Sequence, residues 1–278
     1  NDKKLERLQL GKYSIRKCIK ATKGRKLIIA DYSGIELVIL AAASGDERLL
    51  QEILAGDVHT MVAQDVLGCK GITKENKKEM PYKLWRDASK QLSYSVAYGT
   101  TGRNASETLN INLARLNITK YTPKDGDDII DRWYKLFPKT AEYLQSNARQ
   151  AITKGYVTDV WGRRRQWDLE IIAKDKWKKL AAGREGQNFP IQATSATMTK
   201  RAIALLWNKL DRKRARVIIT VHDEIVVESV VSYAEKAAQI MKECMEQSIK
   251  ETLPILADKI GMYEGTSVNP AISDCYDK

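Results

Sequence analysis

Two aspartates at the ends of apolar strands carry the clearest chemical capacity in this chain. Asp31 follows the apolar run KLIIA and is succeeded by Tyr32-Ser33-Gly34, which breaks the strand. Asp223 lies in VHDEIVVE, Val221 to Glu228, whose alternation reads as a β-hairpin with Asp223 and Glu224 in the turn. Such a pair can share two divalent ions: hard cations such as Mg²⁺ want oxygen ligands, and phosphoryl transfer needs charge neutralised on both the attacking and the leaving oxygen. Carboxylates forced close together stay ionised only when cations sit between them.

A second group of residues lies on one helical line. Lys83, Arg86 and Lys90 are spaced three and four apart in the long run from Pro81 to Gly99, and Tyr94 and Tyr98 continue the line. A solvated basic stripe ending in two core tyrosines would look the same in isolation. Beside an aspartate pair in a basic protein, the better reading is cations for a triphosphate and a ring for a base. Arg184, Asn188 and Gln192 are spaced four apart and would point one way from a continuous helix, although Pro190 is expected to interrupt it. The triple Arg163-Arg164-Arg165 fits a phosphate-backbone contact and a solvated turn equally well.

Composition limits the alternatives. Across 278 residues, Lys and Arg exceed Asp and Glu by 12, so a polyanion is a natural partner, though charge alone does not separate nucleic acid from an anionic membrane surface. Cys18, Cys69, Cys244 and Cys275 lack the spacing of a zinc site, which leaves reduced thiols and an intracellular setting. No run is long and apolar enough to cross a bilayer, and no leader opens the chain. The first residue is not Met, which reads as a processed or excised piece.

The elements that must position these residues follow from periodicity. A strand at Lys26–Ala30 leads into a helix through Ile35, Leu37, Ile39 and Leu40, ended by Gly45; Asp46 opens the next helix, which Gly56 closes. Helical patterns follow at Val58 to Leu67, Pro81 to Gly99, three times within 102–154, and at Ala181 to Asn188, resuming from Ala196 to Leu210. Between them, GYVTDVWGRRRQ reads as a hairpin, and a closing helix covers Ser232 to Leu253. Strands at both ends with a helical block between them imply an α+β body with a helical insertion.

In this order the segments resemble family A DNA polymerases over roughly residues 13–265. DYSGIEL is similar to the first palm motif, RDASKQLSYSVAYG to the fingers helix and VHDE to the second palm motif, with DVHT, GYVTDVWGRRR and REGQNFPIQAT between them in the family's order. The resemblance implies a palm of antiparallel sheet and helices at 1–57 and 184–278, and mainly helical fingers at 58–183.

It further implies that Asp31 and Asp223 hold two Mg²⁺ ions, for which Mn²⁺ can substitute, with Glu224 an accessory acid. Arg86, Lys90 and His59 would hold the incoming deoxynucleoside triphosphate, and Lys90 would protonate the leaving pyrophosphate. Glu36, hydrogen-bonded by Tyr98, would exclude the ribose 2′-hydroxyl. Tyr94 would set tolerance of dideoxynucleotides. Arg184, Asn188, Gln192 and His222 would contact primer–template DNA, reading minor-groove acceptors that all correct pairs share.

The chain also departs from the family pattern. Val38 stands where Arg is usual, Gly34 and Thr220 where Gln is usual, Ala193 and Ser95 for Gly, and Thr197 for Asp. The family's thumb and 3′–5′ exonuclease would not fit ahead of Asp31, so the chain resembles palm and fingers alone: one subunit of a divided polymerase, a proteolysed piece or a reduced enzyme with a helper, the expectation being that a second polypeptide or separate fragment supplies the thumb and an exonuclease. Two other readings compete: a catalytically silent nucleic-acid-binding subunit, against which the retained carboxylates weigh, and a single-subunit RNA polymerase, against which Glu36 weighs.

Overall fold

The computed structural model describes residues 15–116, 118, 120–262 and 266–276. The fold is mixed α+β with small antiparallel sheets. In chain order the elements are β1 (Arg25–Ala30), α1 (Ile35–Ser44), α2 (Glu47–Leu54), α3 (Val58–Asp65), α4 (Tyr82–Ala97), α5 (Gly102–Asn112), α6 (Pro123–Leu136) and α7 (Pro138–Thr153). They continue with β2 (Tyr156–Thr158), β3 (Arg164–Gln166), α8 (Leu169–Lys174), α9 (Lys176–Lys209), β4 (Ala215–Val221), β5 (Glu224–Val230), α10 (Ala234–Thr252) and β6 (Ala271–Ser273).

Two compact units are present. The first comprises the described residues up to Ser33, Ala196–Gly261 and the stretch from Ser267 onward. Its sheet runs β4-β5-β1-β6, all antiparallel. Central strand β1 is apolar from Leu27 to Ala30 and wholly buried there, so both of its faces are covered. Leu27, Ile29, Val226 and Tyr276 form one apolar cluster, and α10 packs on β1 and β5 through a face that buries Ala237, Met241, Cys244 and Met245.

The second unit, Gly34–Ser195 with 262–266, is a helical body carrying the β2–β3 hairpin. Local chemistry sets its helix starts. The Asp46 side chain accepts from Leu49 N at 3.1 Å, and Thr122 and Asp125 form a reciprocal capping box at the head of α6. Trp133 and Phe137 are fully buried in its core. No helix among the described residues is long and apolar enough to cross a membrane.

Two expectations are corrected. Pro190 does not interrupt the helix: α9 runs unbroken from Lys176 to Lys209 with the proline inside it. Packing accounts for this. At Gly186, the residue whose carbonyl loses its helical donor to Pro190, α9 passes so close to α7 that an added Cβ would lie 2.6 Å from the Ala151 Cβ. Tertiary contact overrides the local preference. The hairpin turn is also placed one residue earlier than expected: Val221 pairs with Glu224, so His222 and Asp223 make the turn and Glu224 opens β5.

Candidate active site

In the first unit the strand register sets the acidic pair. The last β1–β5 pair is Ala30↔Ile225 and the last β4–β5 pair is Val221↔Glu224. Asp31 therefore leaves β1 at the same end of the sheet at which Asp223 occupies the two-residue turn. His222, beside it, is the one described non-glycine residue at positive φ, 55°, a conformation that tight hairpin turns require. Asp31 and His222 are exposed and Asp223 is half-buried.

Tyr32 turns inward and shares a 2.7 Å hydrogen bond with the Ser248 hydroxyl of α10. Burial, with a lesser contribution from the Asp223 charge, pushes its hydroxyl well above the usual tyrosine range. Glu224 is buried, accepts from the Tyr276 hydroxyl, and pairs with Arg16 Nη1 at 3.2 Å. The Arg16 guanidinium in turn lies 4.7 Å from the centre of the Tyr276 ring.

No group of three or more His, Cys, Asp or Glu side chains that could hold a metal gathers among the described residues. Two carboxylates at one sheet end still suit Mg²⁺, which is commonly held by one or two carboxylates and completes its octahedron with substrate phosphates and water.

In the second unit, α4 presents the basic-then-aromatic line. Lys90 is exposed and Arg86 half-buried. His59, on α3, is only 9% exposed. Burial, then the Arg86 and Lys90 charges, depress its pKa from 6.5 to about 3, so the ring is neutral. Its Nδ1, the Thr60 hydroxyl and Arg86 Nε are buried without a hydrogen-bond partner. Unsatisfied buried polar atoms are few in native proteins, and here two neighbours on α3 and the guanidinium whose charge acts on His59 carry three. Thr60 was not singled out from the sequence; its position directly after His59 in DVHT was the available signal.

At the end of α4, Tyr98 is linked on both sides. Its hydroxyl donates to Glu36, in the first turn of α1, and accepts from Gln192 on α9; burial first, then the Glu36 bond, raise its pKa strongly. Gly34 precedes α1 at φ 59°, and the Tyr94 hydroxyl lies 3.6 Å from where a Cβ at that residue would stand. Ser95 sits inside the unbroken helix and donates to Leu92 O at 2.8 Å, so no glycine is needed there. Val38 is 2% exposed and belongs to the core, which is why an apolar residue occupies that position.

Because α9 is continuous, Arg184, Asn188 and Gln192 lie on one face. Arg184 and Gln192 are exposed, and the Asn188 Oδ1 is buried without a partner. The three arginines after Gly162 are each engaged internally. Arg163 binds the buried Asp159 through Nε at 2.9 Å and Nη2 at 2.8 Å, Arg164 stacks on Tyr156, and Arg165 pairs with Glu185 at 2.9 Å.

The first unit thus carries an acidic pair at a sheet end, and the second a basic helix with a tyrosine–glutamate bond at its end. Comparison with known proteins gives the family. The chain belongs to DNA polymerase family A, whose model matches residues 6–262. It is 33% identical over 242 residues to the thermostable DNA polymerase I of Thermus aquaticus, covering 87% of this chain and 27% of that protein. It is 30% identical over 253 residues to DNA polymerase I of Deinococcus radiodurans, covering 91% and 24%. The chain thus spans about a quarter of the length of the relatives it matches. Among solved structures, the POL domain of Pol1 from M. smegmatis, in complex with DNA primer-template and dNTP, matches with a TM-score of 0.73 and 24% identity, covering 94% of this chain and 42% of that one.

Proposed function

We propose that this chain is the catalytic portion of a template-directed DNA polymerase, adding deoxynucleotides to a primer 3′ end. The observation that carries the reading is the placement of Asp31 and Asp223 at one end of the β4-β5-β1-β6 sheet, in a chain of family A. Two Mg²⁺ ions, or Mn²⁺, held there would supply Lewis acidity at the primer hydroxyl and the triphosphate. The structural neighbour's complex with primer-template and dNTP supports the same partners here.

Each side chain has a task in this reading. Arg86 and Lys90 bind the triphosphate, and Lys90 donates the proton to departing pyrophosphate. His59 is neutral, so it serves as a hydrogen-bond partner to phosphate and not as a cation. Glu36, oriented by Tyr98, fills the space of a 2′-hydroxyl. Arg184, Asn188, Gln192 and His222 meet the DNA near the nascent pair. Glu224, engaged by Tyr276 and Arg16, acts as an accessory that steadies the hairpin end. Residues 1–57 and 184–278 serve as palm and 58–183 as fingers.

Primer extension tests the reading. Labelled deoxynucleotides should be added to a primer opposite template in Mg²⁺ or Mn²⁺, and ribonucleotides far more slowly. Preference for ribonucleotides would favour the RNA polymerase reading, and no addition of either in the assembled complex would favour a silent binding subunit.

A further inference from the structure

The β2–β3 hairpin grips α9 on both sides of Pro190. Ahead of the proline, Arg165 Nη2 and Trp167 Nε1 donate to Glu185 Oε2 at 2.9 and 3.1 Å. Beyond it, Arg163 Nη2 donates to the Ala193 carbonyl. Arg163 is itself fixed by Asp159, a carboxylate with no exposed side-chain surface, which accepts from Arg163 Nε and Nη2 and from the Arg163 and Trp161 backbone N–H groups at 2.8 and 3.0 Å. A buried, multiply bonded carboxylate holding a guanidinium in one orientation is a rigid mount.

The mount's contacts at Glu185 and Ala193 bracket the place where α9 loses a backbone bond. Pro190 has no N–H, so the helix lacks one of its own bonds there. Between those two contacts lies Gln192, whose side chain donates to the Tyr98 hydroxyl, which donates to Glu36. The hydrogen bonds therefore run from Asp159 to Arg163 to the Ala193 backbone, and from the adjoining Gln192 through Tyr98 to Glu36. Arg164, on the same hairpin, stacks on Tyr156 and takes no part in this series.

We propose that Arg163 is a positioning residue for sugar selection: held by Asp159, it sets the place of Ala193 and Gln192 on α9 and, through Tyr98, the orientation of Glu36. The proposal rests on the polymerase reading above, with Glu36 as the group that meets the sugar. Loss of the Arg163 anchor frees Gln192 and loosens the Tyr98–Glu36 bond, so ribonucleotides gain more than deoxynucleotides lose. Removing one hydrogen-bonded support in such a series changes the selection by about fivefold.

The test uses the polymerase assembly in which the parent chain extends primers, and compares kcat and KM for one deoxynucleotide and its ribonucleotide. Arg163→Ala should raise the ribo-to-deoxy ratio of kcat/KM about fivefold, mainly through the ribonucleotide KM, while Arg164→Ala leaves it within about twofold. Arg163→Lys, which keeps the charge beside Asp159 and one donor for Ala193, should restore most of the parent ratio; should Arg163→Ala not fold, Arg163→Lys and Asp159→Asn are read instead, the second expected to raise the ratio and the first not. Glu36→Ala is the control for the underlying reading. If Glu36→Ala raises the ratio and the Arg163 and Asp159 variants do not, the positioning role is wrong. If Glu36→Ala itself leaves the ratio unchanged, the sugar-gate reading fails, and the positioning role with it.

Discussion

Tyr98 donates a hydrogen bond to Glu36 and accepts one from Gln192, so one phenol joins the end of α4 to the start of α1 and the face of α9. If Glu36 is the group that meets the sugar, as proposed, an acceptor fixed in this way cannot swing aside for a bulkier one, and rejection by a held group is stronger than by a mobile one. Replacing Glu36 with Ala should therefore raise ribonucleotide incorporation relative to deoxynucleotide by on the order of tenfold or more. Tyr98→Phe, which leaves Glu36 in place without its donor, should shift the ratio in the same direction by less. Steady-state kinetics with matched ribo- and deoxynucleotides measure both.

On the proposed polymerase reading, charge neutralisation at Asp31 and Asp223 would matter most in the transition state. Asp31→Ala and Asp223→Ala should each lower extension by on the order of a thousandfold while primer–template binding stays within about threefold. Gel-based extension and fluorescence anisotropy separate the two effects. Extension by either variant at a tenth of the parent rate would remove that residue from the catalytic pair.

Tyr94 places its hydroxyl beside the open position at Gly34. A phenolic hydroxyl there can supply the hydrogen bond that a nucleotide's 3′-hydroxyl otherwise makes, so dideoxynucleotides should be used nearly as well as normal ones. Tyr94→Phe should make discrimination against them at least about tenfold stronger. Competitive incorporation of a dideoxynucleotide and its parent reads this directly, and equal exclusion by both proteins would refute the account.

His59 makes stability depend on pH in a specific window. Its folded pKa of about 3 lies below the ordinary 6.5, so between these values the unfolded chain binds a proton that the folded one does not, and stability falls as pH drops. The loss accumulates to a few kcal/mol, roughly 4, toward the bottom of the window. His59→Asn should flatten this part of the pH–stability curve measured by urea unfolding; an unchanged slope would mean that His59 is protonated in the folded protein.

Grip on duplex through the β2–β3 hairpin is predicted to be weak. Each phosphate contact adds to affinity and to its salt dependence, and the three arginines after Gly162, the most concentrated cationic run in the hairpin region, are engaged by Asp159, Tyr156 and Glu185. Alone, the chain should extend primers distributively, with activity fading as salt rises. Product length at moderate salt, with and without co-purifying polypeptides, checks this, and extension by hundreds of nucleotides from the monomer would contradict it.

Periodicity and motif order made much of this legible. β1, α4, the closing helix and, but for one residue at its turn, the β4–β5 hairpin lie where apolar spacing puts them, and α1 and α2 meet where Gly45 and Asp46 put them, because those signals are local: strand alternation, a Gly at positive φ after a helix, an Asp at an N-cap. The types and order of Asp31, Glu36, Arg86, Lys90, Tyr98 and Asp223 were likewise readable from the chain alone.

What the sequence could not decide depends on contacts between distant segments. Pro190 argues locally for a break, but close packing of α9 on α7 at Gly186 carries the helix through it. The Arg163–Arg165 run has the same composition whether it faces phosphates or its own protein, and only the folded hairpin, with Asp159 buried beneath it, makes the choice. His59 has the ordinary affinity for a proton until α3 is buried against α4 beside Arg86 and Lys90. In each case the deciding term is burial or a long-range partner, and neither is encoded in the spacing of neighbours along the chain.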